Sequence, residues 1–425
     1  MLMVIVFLVT LIIGVPIAFS LGLTAVVGLY SLDPSFLIAL PQKLFATSNN
    51  YSLMAIPLFI MAGELMALSG DINRLMELAR SVIGRVRGGL AYVSIVLGVM
   101  IGGLLGMANA AAALLSTTIY PEMVKDGYEP DFAAPFIASV SIIAPMIPPG
   151  MLFVIYGVAS NTSIADLFMA GVSAGVMVAV ALVIIILLSS RKYKWPVSTQ
   201  KTSAKDILIK LKNAAFSVLA PFITVVTIGA GIATPTEAAA VVCVLVFLVG
   251  TFVYRKIKLR DMAAVLTRTA TTSGAILIIS AMGGVLGWNL SIAQIPQALA
   301  QGIAQISENR LVIMLIIQVF LLFVGMVMDS APAVMILVPV FMPIMARFGF
   351  DSVHFGLLMC LNLSIGLLTP PVGTVLYTTA TATGVPTDKM IKNIWPWVGA
   401  LTIVLMIIAY VPDVVMWLPN LLNSR

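Results

Sequence analysis

Residues 145–150 read Pro-Met-Ile-Pro-Pro-Gly, and residues 369–373 read Thr-Pro-Pro-Val-Gly. Each motif interrupts a long apolar run. A Pro-Pro pair removes two consecutive N–H donors, so carbonyls of the preceding turn lose their helical partners. In hydrocarbon such groups are tolerated only where they line a cavity or bind a ligand. If the runs lie in a membrane, the two motifs predict two broken helices with a site beside them.

The composition places those runs in a membrane. Of 425 residues, 61% are hydrophobic and 9% charged, whereas soluble domains carry about 25% charged residues. This excludes a soluble enzyme, a nucleic-acid-binding protein and a disordered scaffold. The net charge of +6 arises from basic residues between apolar runs. Such a distribution indicates how a chain is oriented in the membrane. We therefore expect an all-α integral membrane protein.

Two further apolar stretches, 90–120 and 311–345, are each broken near the middle. Each could cross the membrane or return as a re-entrant hairpin. If both return, nineteen of the 23 basic residues lie on one face, leaving on the other only Lys43, Arg310, Arg347 and Arg425. The positive-inside rule makes the first face cytoplasmic. A single full crossing by either stretch would destroy this asymmetry, so the distribution favours hairpins.

The second half of the chain repeats the first at a shift of 222 positions. Residues that determine backbone shape coincide without gaps: Gly103 with Gly325, Pro121 with Pro343, Gly127 with Gly349, Pro148-Pro149 with Pro370-Pro371, and Asp166 with Asp388. In the predicted topology the two halves have opposite orientation. Such an inverted repeat is the usual construction of secondary transporters.

The repeat divides the chain into two kinds of unit. Residues 1–89, 169–310 and 386–425 are assigned to a scaffold, with a cytoplasmic linker at 191–212. Residues 90–168 and 311–385 are assigned to a moving transport unit. Its first part comprises hairpin 90–120 and broken helix 132–168, and its second part comprises hairpin 311–345 and broken helix 353–385.

Segment 71–88 alternates apolar residues with four arginines at helical spacing, which is typical of an interfacial helix, with Asp71 as its N-cap. The tryptophans near predicted span ends, Trp195, Trp395, Trp397 and Trp417, are expected to anchor the interface.

The hairpin bends and the Pro-Pro breaks form two pairs and predict one composite site. Free carbonyls suit Na⁺, and half-helix N-termini suit a carboxylate. The predicted Na⁺ ligands are Met107, Asn109, Pro145, Pro148, Asp329, Ser330, Thr369, Pro370 and Gly373. The predicted substrate contacts are Gly106, Asn109, Pro149, Gly150, Ser330, Pro371 and Gly373.

Three carboxylates fall inside predicted spans or hairpins, where charge is costly and is a functional candidate by default. Asp329 lies at a bend beside Ser330 and is the favoured cation ligand, whereas Glu64 and Glu237 have structural and functional interpretations that stay open. The single histidine leaves no nucleophile–base pair, and no phosphate-binding glycine loop is present. The sequence therefore predicts a transporter and not an enzyme.

Several motifs resemble the large membrane subunit of TRAP (tripartite ATP-independent periplasmic) transporters, over nearly the whole chain. They are Ile56-Pro-Leu-Phe-Ile-Met-Ala-Gly63, Ile147-Pro-Pro-Gly150, Gly229-Ala-Gly-Ile-Ala-Thr-Pro235-Thr-Glu-Ala-Ala-Ala240, Gly325-Met-Val-Met-Asp329 and Leu368-Thr-Pro-Pro-Val-Gly373. The resemblance implies a Na⁺-coupled, elevator-type importer of organic acids in the bacterial inner membrane. It also implies two partners, a small four-helix membrane subunit and a periplasmic substrate-binding protein.

The first hairpin tip departs from the family. A Ser-Gly-Ser…Asp run is common there, but this chain has Leu105-Gly-Met-Ala-Asn-Ala-Ala111, in which Asn109 carries the only side-chain oxygen. Either Asn109 and backbone carbonyls serve the first cation site, or that site is weakened or altered in selectivity. A stand-alone Na⁺/organic-anion symporter and, less favoured, an anion channel are the alternatives. The sequence does not identify the organic acid.

Overall fold

A computed structural model describes residues 2–83, 87–189, 195 and 203–423, and within these residues every regular element is a helix. The described residues of the first half form eleven α-helices, with short 3₁₀ turns at Pro34–Ala39, Tyr51–Met54 and Ser141–Ile143. They are α1 (Leu2–Ile12), α2 (Ile17–Leu32), α3 (Leu40–Ser48), α4 (Ala55–Ser69), α5 (Asp71–Ile83), α6 (Gly89–Leu105), α7 (Ala108–Thr118), α8 (Tyr120–Lys125), α9 (Pro130–Val140), α10 (Met151–Ser160) and α11 (Ile164–Ser189).

Residues 203–423 form ten α-helices, and a π-helical turn at Val249–Val253 extends the second of them. They are α12 (Ala204–Gly229), α13 (Pro235–Leu248), α14 (Leu259–Ile292), α15 (Ile295–Ile306), α16 (Arg310–Val327), α17 (Ser330–Arg347), α18 (Ser352–Gly366), α19 (Thr374–Thr383), α20 (Thr387–Tyr410) and α21 (Asp413–Asn423). Eight of the described helices are long and apolar enough to cross a membrane, which confirms the predicted all-α membrane class.

The repeat is visible in the helix boundaries. Ala108 and Ser330 begin α7 and α17, and Pro130 and Ser352 begin α9 and α18, so both pairs keep the shift of 222. The two halves exchange packing partners, because each hairpin packs on the broken helix of the other half: α7 packs on α19, and α17 packs on α10. A two-fold relation between the repeats produces this exchange, because the second arm of each hairpin meets the second half of the other repeat's broken helix.

Both broken helices and both hairpins are interrupted at the predicted motifs. Each hairpin stretch consists of two helices, α6 and α7 or α16 and α17, separated by only two residues. The first broken helix is α9 and α10, and the second is α18 and α19. These elements carry the fully buried core that surrounds the site, from Phe136 and Phe153 in the first half to Phe355 in the second.

Some boundaries differ from the sequence predictions. The predicted linker 191–212 ends earlier, because α12 begins at Ala204 behind a capping box formed by Ser203 and Asp206. Apart from Trp195 and residues 203–212, the linker lies outside the described residues, as do residues 84–86 of the predicted interfacial helix. The C-terminal unit is two helices, α20 and α21.

Helix α5, which the sequence predicts to lie at the interface, is amphipathic as predicted, but the N-cap assignment is wrong. Asp71 is itself the first residue of α5, following Gly70 in the left-handed conformation (φ +77°). Its carboxylate is fully buried and accepts hydrogen bonds from the Ser69 and Ser217 hydroxyls and from Arg74. Asp71 therefore attaches α5 to α12.

Two of the four tryptophans are not interfacial anchors. Trp195 and Trp397 are buried, 7% and 3% exposed, and both rings pack against Phe132 at centroid distances of 5.3 and 5.6 Å. An apolar neighbour in the fold accounts for their burial. Trp395 and Trp417 are about half exposed, as an interfacial position requires.

Candidate functional site

The conformation of each hairpin tip is determined by residues at the tip itself. Helix α6 ends because Gly106 adopts a left-handed φ of +59°, and Met107 is extended before α7 begins. At the second tip Met328 is extended, and Asp329 forms the N-cap of α17, where its carboxylate accepts a hydrogen bond from the Ala331 N–H at 3.4 Å. An aspartate at this position satisfies one of the free N–H groups of the helix start.

The tips meet at their polar side chains. The Asn109 amide Nδ2 donates a hydrogen bond of 2.8 Å to Oδ2 of Asp329, which joins residues 220 positions apart. Within the described residues, the buried atoms Asn109 Oδ1 and Ser330 Oγ have no hydrogen-bond partner. Leaving such atoms unpaired costs about 1–3 kcal/mol each, so this arrangement is a candidate for ligand binding.

A cavity of about 80 Å³ lies at this meeting point. Four of the predicted site residues line it: Met107, Asn109, Asp329 and Ser330. Its other walls come from both repeats and from one residue of α14: Ala108, Met151, Leu152, Ile155, Ile276, Ala331 and Leu367. The remaining predicted residues lie outside this lining: Gly106, Pro145, Pro148, Pro149, Gly150, Thr369, Pro370, Pro371 and Gly373.

The first Pro-Pro segment is buried beside the first tip. The Met151 N–H donates to the Gly106 carbonyl at 3.3 Å, which ties the segment to the hairpin. Within the described chain, the carbonyls of Pro145 and Pro148 accept no hydrogen bond. This agrees with the prediction that the proline pair leaves carbonyls without partners.

The second Pro-Pro segment is tied to the second hairpin in a similar way. The N–H groups of Val372 and Gly373 donate to the Met326 carbonyl at 3.1 and 3.3 Å. The carbonyls of Thr369 and Pro370 accept no hydrogen bond within the described residues. The Thr369 hydroxyl donates to the Ile365 carbonyl one turn earlier at 3.1 Å, which leaves its oxygen lone pairs free to bind a cation.

The half-helix N-termini are not equivalent. At α19 the N–H groups of Val375 and Leu376 donate to the Leu367 carbonyl at 3.1 and 3.3 Å, so they do not face an open site. At α7 the first N–H groups, those of Ala108 and Asn109, have no acceptor in the described chain and adjoin the cavity. The N-terminus of α7 is therefore the better candidate for a carboxylate.

The two other carboxylates have structural partners. Glu64 Oε2 lies 3.5 Å from Nη1 of Arg268. Glu237 completes a capping box at the start of α13, where it accepts hydrogen bonds from the Thr234 N–H and hydroxyl, both at 2.8 Å. These contacts favour the structural interpretation of both residues and leave Asp329 as the carboxylate of the site.

Sequence reasoning missed the apolar walls of the cavity. Met151, Leu152 and Ile155 form one face of α10, but nothing in the local sequence distinguishes them from core residues. Ile276 belongs to α14, far from the hairpins in the sequence. No chemical signal marks such residues, because their role comes from tertiary packing alone.

The chain is similar to several known proteins. Residues 4–414 match the family model described as "Tripartite ATP-independent periplasmic transporter, DctM component". The chain is 34% identical to the C4-dicarboxylate TRAP transporter large permease protein DctM of Pseudomonas aeruginosa, over 95% of this chain and 94% of that protein. It is 34% identical to the sialic acid TRAP transporter large permease protein SiaM of Vibrio cholerae, over 96% and 95%.

A third relative is the 2,3-diketo-L-gulonate TRAP transporter large permease protein YiaN of Escherichia coli, 33% identical over 95% of each chain. Among solved structures, the YdaH transporter of Alcanivorax borkumensis aligns with a TM-score of 0.60 at 11% identity, covering 91% of this chain and 88% of that one. This structural likeness supports the fold alone.

Proposed function

Because the chain belongs to the family of DctM components of tripartite ATP-independent periplasmic transporters, we propose that it imports an organic acid by coupling it to Na⁺. Membership makes it a transporter subunit and not an enzyme. The proposal concerns the coupling ion, the substrate and the mechanism. The observation that carries it is the contact between Asn109 and Asp329 across the two hairpin tips.

Na⁺ is a hard cation and prefers oxygen ligands. The site offers the Asp329 carboxylate, the free Asn109 Oδ1 and the free Ser330 hydroxyl around one small cavity. Backbone carbonyls freed by the Pro-Pro segments lie in the adjoining loops. One negative charge with several neutral oxygens suits a monovalent cation, since its charge compensates the partly buried carboxylate.

The organic acid would place a carboxylate at the N-terminus of α7, where N–H groups of Ala108 and Asn109 are free and the helix dipole favours an anion. Three relatives are named for a C4-dicarboxylate, sialic acid and 2,3-diketo-L-gulonate. These are organic acids, so we propose an organic acid as the substrate class here. Bound Na⁺ beside Asp329 would remove the repulsion between that carboxylate and the substrate.

The transport unit, residues 90–168 and 311–385, would move against the scaffold in an elevator-type cycle. The packing of α7 on α19 and of α17 on α10 connects the two repeats of this unit, which supports the proposal. We propose a small membrane subunit and a periplasmic binding protein as partners. The site would lie in the inner membrane, with the faces rich in Lys and Arg in the cytoplasm.

The test is uptake by proteoliposomes that contain this chain with its small subunit and binding protein. Asp329→Asn should abolish Na⁺-dependent uptake of organic acids while the complex still assembles on a sizing column. Asp388→Asn is the matched control, because Asp388 is an exposed residue in the first turn of α20. Full Na⁺-dependent uptake by Asp329→Asn would refute the proposed site, and uptake without the binding protein would favour a stand-alone symporter.

A further inference from the structure

The two-fold relation pairs α10 of the first repeat with α19 of the second. At the shift of 222, Leu152, Ile155 and Ala159 correspond to Thr374, Tyr377 and Thr381. These positions are spaced by three and four residues, so each set lies on one face of its helix. The face is apolar on α10 and carries hydroxyl groups on α19.

The face of α10 is covered. Leu152 and Ile155 are 7% and 1% exposed and line the site cavity together with Ile276 of α14. One turn further along α10, Ala159 lines a second cavity of about 200 Å³ that is also bounded by Ser280 of α14. Scaffold helices α4 and α14 both pack on α10, so this half of the broken helix lies against the scaffold.

The equivalent face of α19 is open. Tyr377 is 42% exposed, Thr381 is exposed, and Val372 in the loop before the helix is 42% exposed. Helix α19 packs on α7, α9 and α20. The transport unit is therefore placed asymmetrically, with the α10 side against the scaffold and one face of the α19 side uncovered.

Among the hydroxyl groups of this face, that of Tyr377 donates to the Pro371 carbonyl at 3.4 Å, whereas that of Thr381 is exposed and is not used by the helix itself. Thr383, on the same helix, donates to the Thr379 carbonyl at 2.7 Å, the usual arrangement for threonine in an apolar helix. In the part of the chain that the structure describes, Thr381 makes no such bond, and Thr374 Oγ1, at the site end of the helix, is a buried atom without a hydrogen-bond partner. Unpaired hydroxyls are unfavourable against lipid and favourable against water or a carboxylate.

Helix α19 leads from the Pro-Pro break to the start of α20, where Lys389 and Lys392 belong to the basic face that the predicted topology places in the cytoplasm. We propose that this conformation is open to the cytoplasm and that the face of α19 formed by Thr374, Tyr377 and Thr381 is the surface along which the organic acid leaves. Hydroxyl groups donate to a carboxylate without holding it as an arginine would, which suits release. The inference rests on the proposed transport function and adds to it the conformational state and the exit wall.

The test uses a matched pair of cysteines placed by the repeat itself. Ala159→Cys and Thr381→Cys are made in a background in which the native Cys243 and Cys360, both buried, are replaced by alanine. Inside-out and right-side-out vesicles receive a membrane-impermeant anionic thiol reagent, 2-sulfonatoethyl methanethiosulfonate. We expect rapid modification of Thr381→Cys from the cytoplasmic side only, and slow modification of Ala159→Cys from either side.

Addition of Na⁺, binding protein and organic acid on the outer side should slow the reaction at Thr381→Cys and accelerate that at Ala159→Cys. Reaction of Thr381→Cys only with a lipid-permeant maleimide would show that the face meets lipid and would overturn the inference. The cysteine-free parent is assayed for uptake in parallel. The native chain is assayed in the same way. If the parent transports and Thr381→Cys is unreactive, the inference alone fails; if the native chain does not transport, the proposed function fails.

The role of the hydroxyl group is measured separately, with succinate and sialic acid as probes. Thr381→Val should raise the KM for efflux from the cytoplasmic side by about tenfold, the size of one lost hydrogen bond to a charged group, and leave the KM for uptake unchanged. Thr381→Ser should restore the efflux value. An unchanged efflux KM in Thr381→Val would remove the binding role of this face.

Discussion

Removal of the Asn109 side chain tests the junction between the hairpin tips most directly. Asn109→Ala deletes the 2.8 Å hydrogen bond to the Asp329 carboxylate and the free Oδ1 acceptor. The hydrogen bond to Asp329 forms without Na⁺, so the Na⁺ affinity depends on the lost Oδ1 contact, which we set equal to one hydrogen bond to a charged group, about 1.5–3 kcal/mol. Since both side chains are only partly buried, we take the lower end. A loss of about 1.4 kcal/mol is a factor of ten in a binding constant, so half-maximal uptake should require about ten times more Na⁺.

The assay is the Na⁺ dependence of uptake in proteoliposomes, together with the rise in melting temperature that Na⁺ produces in the purified complex. Asn213→Ala is the control, because Asn213 is an exposed asparagine on α12. In the Asp329→Asn background, Asn109→Ala should have little further effect on the Na⁺-induced stabilisation, since its partner is already altered. An unchanged Na⁺ dependence in Asn109→Ala would refute a shared cation centre.

Three stability predictions can be checked by thermal unfolding of the purified protein. A Cβ on Gly366 would lie 2.5 Å from Gly325 Cα. Gly366→Ala should therefore lower the free energy of unfolding by about 1–3 kcal/mol, because it separates α16 from α18. Gly399 has open space around it, so Gly399→Ala should be neutral. Asp71→Ala should lower the free energy of unfolding by about 3–5 kcal/mol, because it removes the buried carboxylate that accepts hydrogen bonds from Ser69, Arg74 and Ser217. Arg80→Ala, which removes a 3.1 Å ion pair with α8 at a partly exposed position, should cost less than about 1 kcal/mol.

The positions at which helices are interrupted could be predicted, because the causes of the interruptions are local. A Pro-Pro pair ends a helix whatever surrounds it, and Gly106 permits the positive φ that ends α6. Asp329 could be recognised as a special carboxylate because it precedes a helix start inside an apolar run. The same local reasoning misassigned Asp71, since whether a residue caps a helix or begins it depends on one or two residues of boundary.

Contacts between distant segments could not be predicted. The pattern around Asn109 indicated a departure from the family, but nothing in it indicated that the amide would bond to Asp329 in the other repeat. Ile276 of the cavity wall and the burial of Trp195 likewise depend on which helices pack together. Hydropathy also merged α20 and α21 into one span, because Val411-Pro412 interrupts apolar sequence without changing its composition.

The repeat explains why the site needs two different residues at its centre. Under strict two-fold symmetry an aspartate at the second tip would face an aspartate at the first, and two close carboxylates would repel each other. In this chain Met107 occupies the position equivalent to Asp329, and Asn109 supplies a donor to the single carboxylate. The pair keeps one negative charge at the junction of the repeats. Asn109→Asp should therefore strengthen the requirement for cations or protons, which a shift of uptake toward lower pH would demonstrate and an unchanged pH profile would contradict.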